Sequence, residues 1–423
     1  MATYNITANN LSGAGIFNIF AIPDSSAQDF INATGIADTI QQNAICDLVR
    51  DLKNYGLWSK MKAVYPFVTD NRNLLSYTDT FSNAYWATGS GGLKTPNYAT
   101  APDGTMTACR VYNGGFFQSG GINKQSGTYV FSFYVKMTSG TSGTIRVFLD
   151  GGFSTTTITV TNTWTRVEIT KTFASIDTTT SGFFIDSDVL IWQPQLELGS
   201  TATTYQPIAT TPQAYIASQF KFNLKDPRDL DAAYRLVFNG GWTFDKTGAT
   251  PNGTNGYADT YLNPRTHLSQ FSVHISNYSR TQNTSVSGVQ LGAYDSVSNS
   301  EVNLWQYYAS VSAKGSSLYA YSLTAVYVNN TNTLGFQIGS RTANNLAKLY
   351  FNGSSLNTNT NTETALLPNR TIYLGASNWV TGTNQYTPHQ HAFDTIGDGL
   401  TDTEAANLYT AVQAFQTALS RQV

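Results

Sequence analysis

Apolar residues first recur with a helical period near the start of the chain. A short helix is predicted from Ser25 to Gly35, because Gln28 completes a capping box and Gly35 stops the apolar run of Phe30 and Ile31. The residues before it mix polar and apolar positions without a lasting period. The pattern therefore predicts an irregular beginning followed by one short helix.

A longer helix is predicted over about 40–55. Thr39 and Gln42 form a second capping box, and Gly56 stands where such a helix ends. The apolar stripe of this helix has the spacing i, i+3, i+4, i+7 and i+10 and consists of Ile45, Leu48, Val49, Leu52 and Tyr55. Two interpretations stay open: the stripe packs on the β structure that follows, or it packs on symmetry mates or a particle socket.

From about 72 to 212 the chain has the pattern of β structure throughout. Residues 129–137 alternate, which places one set on a single strand face: Tyr129, Phe131, Phe133, Val135 and Met137. Further strand-length stretches lie at 144–150, 165–173 and 189–198, separated by Gly, Ser and Thr turns. Trp86 and Trp192 stand at strand positions and are assigned to the core.

Strand-like stretches recur from 213 to about 396, including 271–279, 334–340, 348–356 and 371–377. A short helix is predicted among them, with Asp226 as its N-cap, Pro227 at its first position and Asp229 at N3.

A last helix begins with a capping box from Thr401 to Glu404. Its apolar residues recur at spacings of three and four and are Ala405, Leu408, Val412, Phe415 and Leu419. This stripe either packs on its own sandwich or forms the seam of a trimer. The whole pattern predicts an all-β protein: two jelly-roll β-sandwich domains with a short N-terminal helical attachment segment and a C-terminal helix.

Composition agrees with the β assignment and excludes some functions. Charged residues make up only 12% of the chain, while hydrophobic residues at 41% and aromatic residues at 13% supply the cores. A net charge of −2 without a basic run argues against nucleic-acid binding. The first residues lack a signal-peptide pattern and no stretch approaches the ~18 apolar residues of a membrane span, so neither export by that route nor membrane insertion is expected.

Catalytic motifs are not found in the sequence. A glycoside hydrolase needs two carboxylates that face a sugar, but among the few glutamates Glu404 belongs to a helix cap and Glu197 to a strand end. No nucleophile elbow, H-E-x-x-H motif or P-loop occurs. We therefore expect no enzyme activity, no catalytic residue and no cofactor.

The candidate metal ligands and cysteines are sparse. His389 and His391 have the spacing that places both on one strand face, but no third ligand lies nearby, so they are interpreted as strand or loop polarity and no metal residue is assigned. Cys46 and Cys109 lie in segments assigned to different domains, and a disulfide between them is not expected.

Aromatic loops are the better candidates for binding, because sugar rings stack their C–H faces on Trp and Tyr. The first candidate stretch contains Trp305 and Tyr308, with a two-faced buried strand as the alternative interpretation. The second runs from Asn378 and Trp379 to Tyr386; Gly and Asn between its aromatic residues predict an exposed loop that contacts a ligand or a neighbouring subunit.

Residues 72–212 also resemble a jelly-roll domain that is common in phage structural proteins. The resemblance is carried, in order, by NLLSYTDTFSNAYWATG (73–89), ATAPDGTMTACRVY (99–112), WTRVEIT (164–170) and IWQPQLELGSTATTYQPI (191–208). It implies a shape similar to carbohydrate-binding jelly rolls, for which sugar binding is commonly assumed.

The remainder resembles the concanavalin A-like, or laminin-G-like, jelly roll of fibre proteins from Bacteroidetes-infecting phages, including the crAss-like group. The resemblance rests on KMKAVYPFV (60–68), FKFNLKDPRDLDAAYRLVFNGGWT (220–243), ATPNGTNGYADTYLNP (249–264) and FDTIGDGLTDTEAANLYTAVQAF (393–415). In such proteins the first two stretches lie close together, so their separation here implies an inserted domain. Laminin-G-like domains often carry calcium, but Asp394, Asp398 and Asp402 lack the dense pattern of a calcium loop, which leaves calcium open.

The resemblance suggests four parts: a virion-attachment segment (1–38), a helix with the start of the C-terminal unit (39–71), the inserted jelly roll (72–212), and the concanavalin A-like sandwich with its terminal helix (213–423). It implies a fibre subunit, on head or tail, that is made in the host cytoplasm, lies on the exterior of a phage particle and contributes to adhesion to host glycans without catalysis. A homotrimer docked to other virion proteins through its N-terminal segment is expected. A purely architectural capsid or collar protein and a polysaccharide depolymerase are the alternatives.

Overall fold

A computed structural model describes residues 24–308, 313–320, 326–329 and 332–423. The beginning of the predicted attachment segment, residues 1–23, lies outside the described residues. The described helices are α1 (Ser25–Thr34), α2 (Thr39–Asn54), α3 (Pro212–Phe220), α4 (Pro264–His267) and α5 (Asp402–Ala418), with 3-10 turns at Trp58–Lys60 and Asp231–Ala233. None of the helices in this part of the chain combines the length and apolarity that a membrane crossing requires.

Strands form the rest of the regular structure, which confirms the all-β class with helices at both ends. The first is β1 (Met61–Tyr65). Ten follow: β2 (Trp86–Gly89), β3 (Leu93–Ala99), β4 (Ala108–Tyr112), β5 (Gly115–Gln118), β6 (Gly127–Met137), β7 (Ser142–Phe148), β8 (Thr156–Thr161), β9 (Thr165–Phe173), β10 (Gly182–Ile185) and β11 (Val189–Leu198). The remaining described strands are β12 (Val237–Asn239), β13 (Trp242–Asp245), β14 (Gly248–Pro251), β15 (Tyr257–Asp259), β16 (Val273–Ser279), β17 (Gly288–Asp295), β18 (Ser300–Tyr308), β19 (Ala313–Ala320), β20 (Val326–Asn329), β21 (Gly335–Ala343), β22 (Leu346–Phe351), β23 (Ser354–Asn359), β24 (Tyr373–Leu374), β25 (Ser377–Trp379), β26 (Gly382–Asn384) and β27 (Phe393–Gly397).

The helix boundaries follow from their caps. Asp24 caps α1 through the N–H of Ser26, and Asp38 caps α2 through the N–H of Gln41, so each cap lies one residue before the predicted Ser25 and Thr39. Gly56 ends α2 at φ 71°, a left-handed conformation that glycine adopts at little cost.

The first sandwich consists of two five-stranded sheets. One has the order β2-β5-β10-β7-β8, and the other, named here the β6 sheet, has the order β3-β4-β11-β6-β9. Alternation along β6 turns Phe131, Phe133 and Val135 into the core between the sheets, as the sequence predicted.

The second sandwich pairs a six-stranded sheet, β1-β27-β16-β21-β22-β23, with a larger one that follows β12-β15-β24-β17-β18-β19-β20 and carries β25 and β26 beside it. Strand β1 joins this sandwich by antiparallel pairing with β27, although more than 300 residues separate Tyr65 from its partner Asp394. The two clusters of buried residues in this sandwich lie on opposite faces of the six-stranded sheet.

Helices α1, α2 and α5 cover the outer face of the six-stranded sheet. Ile45, Leu48, Val49 and Leu52 of the α2 stripe and Ala405, Leu408, Val412 and Phe415 of the α5 stripe are buried there with Phe336 and Phe393 of the sheet. Leu419 is partly buried, whereas Tyr55, predicted as the last residue of the α2 stripe, lies just after the helix and is exposed. Of the two interpretations for each stripe, packing within the chain accounts for the contacts. The capping box of α5 also forms as predicted, with Thr401 and Glu404 each bonded to the backbone of the other.

The helix predicted at Asp226 does not form. The carboxylate of Asp226 binds the guanidinium of Arg228 at 2.5 Å, and only the 3-10 turn Asp231–Ala233 follows. Few apolar residues surround Pro227, so a longer helix would bury little apolar surface. The free energy gained by that burial would not offset the loss of backbone entropy on forming the helix.

The chain passes between the two sandwiches twice, before β2 and after β11. The side chain of Gln206 holds the two passages together: its Oε1 accepts the N–H of Arg72 at 2.7 Å, and its Nε2 donates to the carbonyl of Asp70 at 3.1 Å. Each hydrophobic cluster stays on one side of this junction, since the jelly-roll clusters draw on residues 74–196 and the others on residues up to 68 and from 216 onward.

Candidate functional site

The predicted binding residue Trp305 is buried in β18, only 3% exposed. Its Nε1 donates to Oε1 of Gln385 at 3.4 Å, and its ring lies 6.0 Å from that of Tyr327. The ring is therefore a packing element without an open face, as the alternative interpretation of this stretch expected. Tyr308 ends β18, and its side chain lies outside the described part of the structure.

The predicted loop 377–386 is a β-hairpin made of β25 and β26. Asn378 is buried and donates to the carbonyl of Thr371 at 2.9 Å, so its amide is used within the fold. Trp379 is half-buried, and its ring packs on Tyr294 with centroids 4.8 Å apart. Tyr386 is also half-buried. The hairpin reaches over Trp305 through Gln385, so the structure brings the two predicted stretches together, chiefly as packing.

A more open aromatic surface lies on the outer side of the β6 sheet. Residues 131, 133 and 135 of β6 face the core, so the residues between them, Tyr134 and Lys136, face away from it. The same side of the neighbouring strands adds further aromatic residues. We name this surface the aromatic face; its aromatic members are Tyr98, Tyr112, Tyr134, Trp164 and Trp192.

The centre of the aromatic face is formed by two residues that pair across neighbouring strands. Trp192 of β11 stands directly opposite Tyr134 of β6, and their ring centroids are 5.3 Å apart. These rings pack with Trp164 and Leu190 in a small apolar cluster separate from the jelly-roll core. The indole N–H of Trp192 donates to the hydroxyl of Thr107 at 3.0 Å, which fixes the ring.

Arg110 organises one end of the aromatic face. Its guanidinium lies over the rings of Tyr98 and Tyr112, 5.1 and 4.6 Å from their centroids. It also binds both carboxylate oxygens of Asp188, which lowers the pKa of Asp188 chiefly through these hydrogen bonds. Because Tyr98 is 44% exposed, this end is a rigid, solvent-facing aromatic edge.

Two further cations lie at the other end. The ammonium of Lys136 is 5.6 Å from the ring centroid of Trp164. Arg166 stands opposite Tyr134 and donates to the hydroxyl of Ser132 and to the carbonyl of Thr203, both neutral acceptors. Neither cation forms an ion pair with a carboxylate in the described part of the chain.

A cavity of about 210 Å³ adjoins Trp192. It lies where β11 bulges between Trp192 and Gln195, with Gln193 in the left-handed region at φ 49°. Its lining combines hydroxyls, carboxylates and rings and consists of Thr78, Asp79, Phe81, Asp103, Thr105, Thr107, Trp192, Gln193 and Tyr205. This mixture of apolar surface and a few polar groups is typical of small-ligand sites, although the volume is below the roughly 300 Å³ of drug-sized pockets.

The carboxylate of Asp103 is engaged in a turn. It accepts hydrogen bonds from the N–H and the hydroxyl of Thr105 at 2.9 and 2.7 Å, and these bonds lower its pKa. A general acid of a glycosidase requires a raised pKa. Asp103 is therefore suited to accept hydrogen bonds from a ligand rather than to protonate one.

The loop 199–205 covers the remaining part of the outer surface. It is held by the buried carboxylate of Glu197, which accepts the N–H and the hydroxyl of Thr203 at 2.8 and 2.7 Å and the amide of Gln195 at 2.7 Å. Glu197 thus has the structural role that its position at a strand end predicted. Because the loop covers one half of the outer surface of the β6 sheet, the aromatic face is limited to the other half, which extends from Arg166 to Tyr98.

The assignment of Trp192 to a core is confirmed, since its side chain is only 8% exposed. That core is the small cluster on the outer side of the β6 sheet and not the main one, because Ile191, its neighbour in β11, is the residue that faces inward. The residues missed in the sequence are Tyr98, Tyr134 and Trp164. A signal was present for Tyr134 and Lys136, since an aromatic and a cation occupy the polar side of an alternating strand, but only strand pairing shows that Trp164 and Trp192 join them.

The two paired histidines bind different partners. Nδ1 of His389 lies 2.8 Å from the hydroxyl of Thr387, whereas Nδ1 of His391 lies 2.7 Å from the carboxylate of Asp394. Asp394 also accepts the amide of Asn277, so these contacts cross-link the interior of the second sandwich. In the ranges that the structure covers, no three His, Cys, Asp or Glu side chains cluster as metal ligands would.

No protein-family model matches the chain, and no curated protein does. Among solved structures, the C-terminal CBM6 of LamC from Zobellia galactanivorans is similar at 22% identity over 27% of this chain and 93% of that one, with a TM-score of 0.21. A carbohydrate-binding module of Cellvibrio mixtus lichenase 5A, solved with cellotriose, is similar at 14% identity over 30% of this chain and 99% of that one, with a TM-score of 0.23. The binding domain of botulinum neurotoxin DC, solved with rat synaptotagmin II, is similar at 14% identity over 43% of this chain and 48% of that one, with a TM-score of 0.29. Scores this low carry no inference about the site or its ligand.

Proposed function

We propose that this protein is a non-catalytic glycan-binding adhesin whose binding site is the aromatic face of its first sandwich. The observation that carries the proposal is the pair of half-buried rings of Trp164 and Tyr134 on the outer side of the β6 sheet, packed against the buried ring of Trp192. Aromatic rings on such a surface offer flat apolar area with little conformational entropy to lose, which suits the C–H faces of sugar rings. The adjoining cavity supplies hydroxyl and carboxylate acceptors for sugar hydroxyls.

The test is direct binding of the full chain to an array of bacterial and plant polysaccharides, followed by titration of the strongest ligand. Trp164→Ala should weaken binding about tenfold or more, because one stacked aromatic ring contributes roughly 1–3 kcal/mol in comparable stacking sites. Phe153→Ala is the matched control, since Phe153 is an exposed aromatic residue of the same sandwich that lies outside the aromatic face. Equal binding by both variants and the parent would reject the aromatic face as the site.

Binding without turnover is part of the proposal. It is supported by the lowered pKa of Asp103, the carboxylate held next to Trp192 in the cavity. Incubating the bound polysaccharide with the protein should release no reducing ends. Release of oligosaccharides that Asp103→Asn abolishes would instead establish a depolymerase.

We further propose that the chain is a fibre subunit on the exterior of a bacteriophage particle, docked through its N-terminal segment. The support is the sequence resemblance of residues 60–68, 220–243 and 393–415 to fibre proteins of crAss-like phages. Labelling of particles with antibodies to the first sandwich, followed by electron microscopy, would place the subunit on the head or the tail. Labelling confined to a capsid or collar without an effect on attachment to host cells would favour the architectural alternative.

A homotrimer is the assembly that fibre subunits suggest. The stripes of α2 and α5 are buried within the chain, so a trimer would use other surfaces. Light scattering should give about three times the 46.1 kDa subunit mass. A monomer at micromolar concentrations would reject self-assembly in solution.

A further inference from the structure

The charges around the aromatic face differ from one end to the other. Lys136 and Arg166 lie beside Trp164 and Tyr134, and the acceptors that Arg166 binds are neutral. At the opposite end Arg110 is neutralised by Asp188, and Asp79 and Asp103 line the cavity beyond Trp192. Among the described residues of the face, Lys136 therefore gives the Trp164 end a positive charge without an ion-pair partner.

The neighbouring carboxylates are already engaged. Glu168 extends from the same side of β9 as Arg166, but it accepts the N–H of Ala202 at 3.3 Å, in the covering loop. Glu197 is buried under the same loop by Thr203 and Gln195. The loop thus holds both acidic groups, with Glu197 buried and Glu168 exposed beside Arg166. Lys136 lies four residues along β6 from Ser132, the residue opposite Glu168, and is therefore the cation of this end that stands apart from the carboxylates.

We propose that the aromatic face selects acidic polysaccharides, with a uronic acid packed on Trp164 and its carboxylate paired with Lys136. This inference rests on the proposed glycan binding and names its substrate class. The ammonium of Lys136 lies over one face of the indole, 5.6 Å from its centroid, at the end of a flexible stem, so it can reach the carboxylate that a uronic acid on Trp164 carries outside its ring. It acts there as a point charge.

The experiment compares polygalacturonate, alginate and hyaluronan with their methyl-esterified forms, which keep the rings and lose the charge. At least one acidic form should bind the full chain, and esterification should weaken that binding about fivefold or more, since exposed ion pairs contribute up to about fivefold each. Raising the salt concentration should weaken binding of the acidic form and leave the esterified form nearly unchanged.

Variants at Lys136 test whether this side chain causes the preference for the acidic form. Lys136→Met keeps the apolar stem on Trp164 but removes the charge, so it should lower affinity for the acidic form two- to fivefold and leave the esterified form unchanged. Lys136→Arg should restore the preference, and Lys62→Met, on β1 outside the face, should have no effect.

The outcomes separate this inference from the proposed function. Equal or tighter binding of the esterified forms, lost in Trp164→Ala, would overturn the acidic preference and retain glycan binding at the face. An acidic preference that survives Lys136→Met with undiminished strength would also overturn the inference. Binding of neither acidic nor esterified forms, with no ligand on the wider array, would overturn both.

Discussion

The carboxylate of Asp70 accepts a hydrogen bond from the hydroxyl of Tyr215 at 3.0 Å, across 145 residues of sequence. The same carboxylate accepts the amide of Gln219 at 2.9 Å and the backbone N–H of Ala37 at 2.8 Å. Asp70 stands just before the first sandwich and Tyr215 just after it, in α3. One buried side chain therefore joins the entry, the exit and the N-terminal helices.

Replacing Asp70 should weaken the second sandwich. Asp70→Ala removes the acceptor shared by the N–H of Ala37, the hydroxyl of Tyr215 and the amide of Gln219, of which the amide keeps the carbonyl of Thr34 at 3.3 Å. A buried donor left without an acceptor costs about 1–3 kcal/mol. We expect the free energy of unfolding to fall by about 2 kcal/mol or more in chemical denaturation. Asp47→Ala, at an exposed aspartate of α2, should change it by less than about 0.5 kcal/mol. Equal stability of both variants would show that the Asp70 contacts contribute little.

Removal of the first sandwich tests the inserted-domain prediction. Excising residues 72–210 and joining the ends with a short linker retains Thr211, the cap of α3, and all three partners of Asp70. Because the hydrophobic clusters do not span the junction, the remainder should keep a cooperative unfolding transition, and the excised piece should show its own. A broad, non-cooperative transition in the remainder would mean that the two sandwiches stabilise each other.

Trp379→Ala distinguishes the hairpin from the aromatic face. The half-buried ring of Trp379 packs on Tyr294, so its removal should lower the free energy of unfolding by about 1–2 kcal/mol, while polysaccharide binding stays at the parental level. Val380→Ala, at an exposed position of the same hairpin, should leave both quantities unchanged. Lost binding at unchanged stability would return the site to the hairpin.

Acid should destabilise the second sandwich through His274. Burial lowers the pKa of His274 to about 4, and Nδ1 lies 2.6 Å from the carbonyl of Asp398. Since the unfolded state takes up a proton near pH 6.5 and the folded state only near pH 4, the stability contribution is complete above pH 6.5 and is lost as the pH falls towards 4.

The shift corresponds to about 3 kcal/mol over that interval. Denaturation curves at pH 7.5 and pH 4.5 should therefore differ less for His274→Gln than for the parent. His267→Gln, at a partly exposed ring, is the control and should nearly keep the parental difference. The same pH difference in His274→Gln and the parent would exclude this histidine as the cause.

Local signals in the sequence were sufficient for α1, α2 and α5 and for most strands, whereas α3 and α4 were not predicted. Caps such as Thr401–Glu404 and terminators such as Gly35 and Gly56 act within one turn, so their effect is visible without tertiary structure. The helix predicted at Asp226 does not form, although the carboxylate of Asp226 accepts the N–H of Arg228 at 3.4 Å, because too few apolar residues follow to stabilise it. A long-range contact such as β1 with β27 required the resemblance or the structure.

The candidate site was harder to predict, for a physical reason. In VLIWQPQLEL both faces of β11 are apolar, so the period of two does not reveal which side Trp192 takes. Trp164 lies just before β9 and gains its neighbours only through cross-strand pairing. Conversely, Gly382 and Asn384 made the 377–386 stretch resemble a loop, although both lie in β26, and Val380 and Thr381 form the turn of the hairpin that covers Trp305.

The two connecting segments between the sandwiches, held together by Gln206 and Asp70, also affect how several copies of the protein would bind one surface. A module on a single flexible linker samples many directions, and its effective concentration at a second receptor depends on linker length. Here two connecting segments, hydrogen-bonded to each other, restrict rotation of the first sandwich relative to the second. On the proposed fibre, neighbouring copies would therefore present their aromatic faces at a spacing set by the particle, and a glycan layer would meet a patterned surface rather than independent tethered sites.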